Sequence, residues 1–153
     1  MKIVGFFCED IRQETTGTET IVGALPDNMN VPSVPGIFSK LAVYLRVQID
    51  LNEAPDSIIA TLKTPWGETF KLGEADKKIL DEALQGAKDS NLPIAGVVIR
   101  ALFAPFPVQD YGLMTAVAEV GGVERVCALL NIKPTTPAPT ASAQPASQSQ
   151  PAS

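Results

Sequence analysis

The sequence contains no histidine. That absence removes the Ser-His-Asp triad, the Cys-His pair, the imidazole general base and His-ligated zinc. Cysteine occurs only as Cys8 and Cys127, too few to build a structural zinc site alone. In a cytosolic chain two such distant cysteines read as reduced, buried thiols. Aromatic residues are 6% of the chain, so the core should be aliphatic. Basic clusters are equally scarce. The longest is Lys77-Lys78, and 12 Lys+Arg against 17 Asp+Glu give a net charge of -5. This balance excludes a nucleic-acid partner, because phosphate binding needs a basic surface or stripe. No apolar run reaches the ~18–20 residues of a membrane span. The longest candidate, Ile94 to Val108, is interrupted by Arg100, Pro105 and Pro107. At the N-terminus, Glu9-Asp10 arrives too soon for a signal peptide. The reading is a soluble cytoplasmic protein with no membrane association, no cofactor and no metal.

What is present is mostly period two. In residues 41–49, Leu41, Val43, Leu45, Val47 and Ile49 alternate with Ala42, Tyr44, Arg46 and Gln48, the pattern of a half-buried strand. Further strands are expected at Lys2–Arg12, Thr20–Leu25, Ser57–Thr64, Glu68–Leu72, Ile94–Phe103, Tyr111–Val120 and Val123–Ile132. Thr64-Pro65-Trp66-Gly67 suits a type I turn with a bulge, and Gly121-Gly122 a two-residue hairpin turn. One segment, 74–87, places Ala75, Ile79, Leu80, Ala83, Leu84 and Ala87 on a stripe and predicts an amphipathic helix. Asn28–Gly36, with Pro32, Pro35 and Gly36, reads as an irregular loop. From Pro134 to Ser153 the chain uses only Pro, Thr, Ala, Ser and Gln. Such a segment cannot bury enough apolar area to offset its ordering entropy. The expected organisation is a β-sandwich domain over 1–133 and a disordered tail over 134–153. The sandwich is mainly β and antiparallel, with about eight strands and one inserted helix.

The first strand carries a resemblance. Cys8-Glu9-Asp10-Ile11-Arg12-Gln13-Glu14, then Gly17 and Ile21-Val22-Gly23, with Pro35, Leu41 and Leu45-Arg46-Val47 further on, is similar to a family of uncharacterised small bacterial proteins. That family, a domain of unknown function, has a Cys-Glu-x-x-Arg-x-Glu first strand. The resemblance implies a single sandwich of immunoglobulin or C2-like type, and no activity or catalytic residues.

Four groups stand out as candidate sites. Along the first strand, Asp10, Arg12 and Glu14 share one face and Glu9 takes the other, so Arg12 can pair with either neighbouring acid. Asp50, Glu53 and Asp56 follow the strand at 41–49, but calcium wants six to eight oxygens, and a solvated acidic loop is expected instead. Trp66, the only Trp, sits at a hairpin tip, where a ring either folds onto its own sheet or anchors a partner or sugar. Ile94–Phe106 is apolar on both faces. It reads either as a central strand covered by the helix or as a homo-oligomer contact, with Arg100 needing a carboxylate if buried.

No phosphate-binding loop, nucleophile–base pair or facing carboxylate pair is visible, so an enzyme is not expected. The expected function is a non-enzymatic structural or protein-interaction module. Its contact surface would use Arg12, Tyr44 and Arg46 with the N-terminal acids Glu9 and Glu14. The alternative is a small-ligand or carbohydrate-binding module using Trp66 and the 26–38 loop.

Overall fold

A computed structural model describes residues 1–136 of the chain. Its eleven strands and one helix are, in order, β1 (Lys2–Gln13), β2 (Glu19–Ala24), β3 (Asn28–Val31), β4 (Gly36–Phe38), β5 (Leu41–Asp50), β6 (Ile58–Lys63), β7 (Thr69–Ala75), α1 (Lys77–Asp89), β8 (Ile94–Phe103), β9 (Phe106–Val108), β10 (Gly112–Val120) and β11 (Val123–Pro134). A four-stranded sheet runs β2-β1-β5-β8 and a five-stranded sheet runs β3-β11-β10-β6-β7. Together they form the expected β-sandwich. A two-stranded ribbon, β4-β9, is separate.

The core follows from the pleat. The odd residues of β5, from Leu41 to Ile49, are fully buried between the sheets. They meet Ile58, Ala60 and Leu62 of β6, Met114, Ala116 and Ala118 of β10, and Leu130 and Ile132 of β11, all in the same buried cluster. Three of the few aromatics gather at one end, where Phe70, Phe103 and Phe106 pack edge to face at 5.3–5.8 Å. Both expected turns form. Gly67 N–H donates to the Thr64 carbonyl at 3.2 Å with Gly67 at φ 91°. Gly121 and Gly122 take φ 58° and 79° between the paired Val120 and Val123.

The structure corrects four expectations. The helix begins at Lys77 instead of at 74, because Glu74 and Ala75 belong to β7 and Ala75 pairs with Ile58. Asp76 then caps it, its carboxylate accepting from Ile79 N–H at 2.9 Å. Asn28–Gly36 is not wholly irregular: β3 lies inside it and pairs parallel with β11, and Gly36 opens β4. The Ile94–Phe103 strand is not central. β8 is the edge of the four-stranded sheet, and its buried residues alternate with exposed ones. Cys127 is only half-buried, unlike Cys8.

The helix connects β7, at the edge of one sheet, to β8, at the edge of the other, and buries Leu80, Leu84 and Ala87. It therefore closes one open side of the sandwich. After the last hairpin β11 runs through Pro134, and Thr135 N–H donates to the Val31 carbonyl at 3.2 Å. The rest of the expected disordered tail, from 137 on, lies outside the described residues.

Candidate functional site

Two surfaces collect the residues that the sequence singles out. The first is the outer face of the four-stranded sheet. Since the odd residues of β5 are buried, the even residues Tyr44, Arg46 and Gln48 face outward, and the register places them in rows with β1 and β8. Lys2, Gln48 and Gly96 make one row, Val4, Arg46 and Val98 the next, and Phe6, Tyr44 and Arg100 the third. Val4 is 48% exposed and Val98 39%. Phe6 and Tyr44 stack across the strand pair, ring centroids 5.3 Å apart and planes 22° from parallel. The Arg46 guanidinium lies near Gly96, where a Cβ would sit 4.0 Å from Nη2. These three rows contain three cations and no carboxylate in a chain of net charge -5. Arg100 is paired with Glu19 of β2, which brings the end of the β1–β2 hairpin back toward β8. Lys2 and Arg46 form no ion pair among the described residues.

The second surface is a cavity of about 450 Å³ where β1 meets the segment 29–40. Its polar wall is Glu9, Asp10, Arg12, Ser39 and Lys40, and its apolar wall is Val22, Met29, Ile37 and Phe38. Asp10 is 8% exposed. Lys40 Nζ donates to it at 2.8 Å, Arg12 Nε at 3.4 Å, and Ile11 N–H at 3.0 Å. The ammonium of Lys40 above all holds the Asp10 carboxyl below the usual carboxylate range, against the opposing effect of burial. Glu9 has no ion pair among the described residues. Its carboxylate lies over Gly23, where a Cβ would come within 2.6 Å of Oε2. Gly23 also takes φ 62°, a conformation that glycine adopts without strain. Cys8, next along β1, is buried, and burial together with the Asp10 charge raises its thiol pKa.

The remaining sequence candidates separate. Arg12 pairs with Asp10 and not with Glu14. Glu14 sits at the hairpin end, accepting from Thr20 Oγ1 at 2.6 Å. Trp66 folds back: its ring packs 6.1 Å from Phe106 and its Nε1–H donates to Glu68 at 2.8 Å. Arg12 also lies beyond the stretch of β1 that pairs with β5, so Tyr44 and Arg46 share one surface while Glu9 and Arg12 share the other. In the acidic loop, Asp50 binds the N-terminal ammonium at 3.0 Å and Asp56 faces Lys77 at 3.6 Å. Among the described residues no group of three potential ligands is placed to hold a metal. Among the described residues no helix is long and apolar enough to cross a membrane.

Lys40 went unmarked in the sequence, and Ile37 was marked only as a member of the 26–38 loop. Lys40 lies 30 residues from Asp10, so no local pattern joins them. For Ile37 the only signal is an apolar residue among Pro, Gly and Ser. Compared with protein-family models, with curated proteins and with solved structures, the chain has no match. The chain is a β-sandwich with a cationic, partly apolar sheet face and a charge-lined cavity at one end of that sheet.

Proposed function

We propose that this protein is a non-enzymatic protein-interaction module whose contact surface is the outer face of the four-stranded sheet. One observation carries the reading: Lys2, Val4, Phe6, Tyr44, Arg46 and Val98 lie side by side by strand register, with no carboxylate among them. Stacked aromatics and an Arg with free donors are the side chains that concentrate binding energy at interfaces. The cations on an acidic protein select a partner that presents acidic side chains around an apolar centre.

Site-specific photo-crosslinking tests this. Tyr44→p-benzoylphenylalanine should capture one discrete protein in the cells from which the chain comes, and Lys78→p-benzoylphenylalanine, on the exposed side of α1, should not. Equal capture at both positions, or none at Tyr44, would count against the reading.

A further inference from the structure

The cavity at the end of β1 has features that packing alone does not require. It holds two carboxylates, Glu9 and Asp10, and two cations, Arg12 and Lys40, so its formal charge is balanced. The balance is uneven in space. Asp10 engages both cations, whereas Glu9 engages neither. Arg12 reaches Asp10 only through Nε at 3.4 Å and keeps its side chain 65% exposed, which leaves its Nη fork without a partner among the described residues. The cavity thus offers an open acceptor in Glu9 and an open planar donor in Arg12. Against them stands Ile37, 70% exposed, the most exposed large apolar side chain among the described residues. Met29, Val22 and the half-buried Phe38 continue that wall. A volume of 450 Å³ lies within the roughly 300–1,000 Å³ of small-molecule sites.

From this we infer that the cavity binds a small zwitterion with an apolar side chain, in chemical class a free α-amino acid. Its ammonium meets the Glu9 carboxylate, its carboxylate meets the Arg12 guanidinium with Lys40 beside it, and its side chain covers Ile37 and Met29. A simple anion would meet the uncompensated Glu9 charge, and a simple cation would meet Arg12, so each alone is disfavoured. Guanidinium pairs carboxylates in a bidentate fork, which suits Arg12 for the acidic end. Gly23 is a positioning residue here, because only its bare Cα leaves Glu9 its place. This inference is independent of the sheet-face interaction.

The experiment is titration of the full-length, isotope-labelled chain followed by amide chemical shifts. The probes are L-phenylalanine and L-leucine, with 2-phenylethylamine and 3-phenylpropionate as the singly charged controls. The expected result is saturable binding of at least one amino acid, with shifts confined to residues 9–12, 22–23, 29 and 37–40. Both controls should bind at least about tenfold more weakly. Glu9→Gln and Arg12→Gln should each weaken binding by about tenfold or more while keeping the thermal midpoint and the amide spectrum elsewhere. Four outcomes would overturn the inference: no saturation by either amino acid up to about 10 mM, a control binding as tightly as its zwitterion, shifts centred outside the cavity, or unaltered binding in both variants.

Discussion

Replacing Gly5 with alanine asks whether β1 truly crosses β11 where the structure places it. Gly5 pairs with Leu45 in the middle of the four-stranded sheet. A Cβ there would lie 2.4 Å from Leu45 Cδ2 and 3.0 Å from the Cys127 carbonyl oxygen. Leu45 is fully buried, and the carbonyl belongs to a strand that is hydrogen-bonded to β10. Overpacking of this kind costs about 1–3 kcal/mol. Gly86 is the matched control. It lies in α1, on the exposed side, and a Cβ there meets nothing within 4 Å. In a helix interior, alanine for glycine gains about 0.5–1 kcal/mol. The same chemical change should therefore move stability in opposite directions at the two sites. For a domain of this size 1 kcal/mol is worth roughly 4 °C in Tm. Urea melts read by far-ultraviolet circular dichroism, with unchanged m-values, would measure both. If Gly5→Ala is neutral or stabilising, β1 and β11 are not in contact as described and the sandwich closure is misassigned.

Three further predictions follow from the site. Arg46→Glu should leave Tm within about 2 °C of wild type, because a solvent-facing charge without an ion-pair partner contributes little to folding; a collapse of the fold would show that the even residues of β5 do not face outward. The lowered pKa of Asp10 supplies stability that is present above the unfolded carboxyl pKa and disappears as pH falls through the folded value. Lys40→Met removes the chief cause of that lowering, so its acid unfolding should begin at higher pH than in wild type, and identical acid limbs would exclude the Lys40–Asp10 pair. Burial raises both thiol pKa values, and half-buried Cys127 should react with a thiol reagent at neutral pH before fully buried Cys8; mass mapping of the first adduct on Cys8 would contradict this.

Much of the sandwich was legible because its long strands are amphipathic at period two and its turns use residues with definite dihedral demands. Leu41 to Ile49, Gly67 and the Gly121-Gly122 pair are examples. The short strands were hidden for a physical reason. β3, β4 and β9 have three or four residues each, too few to show alternation, and prolines stand in or beside them. The parallel pairing of Asn28–Val31 with Asn131–Pro134 spans the whole domain and leaves no local trace. The helix start was blurred because Ala75, buried in β7, also fits the apolar stripe of α1. In the candidate site, the sequence marked Tyr44 and Arg46 as outward and Glu9 and Arg12 as notable. It joined all four in one surface, whereas the register separates them. The link from Asp10 to Lys40, and that from Glu19 to Arg100, depend on strand order, which no local pattern carries.

Native mass spectrometry of the wild-type chain and the Arg46→Glu variant, each purified gently from its own host, tests the central claim most directly. The interaction reading predicts a discrete protein partner on the wild type, lost in the variant while the variant itself remains folded. A partner retained equally by Arg46→Glu, or a wild-type chain that carries none, would contradict it.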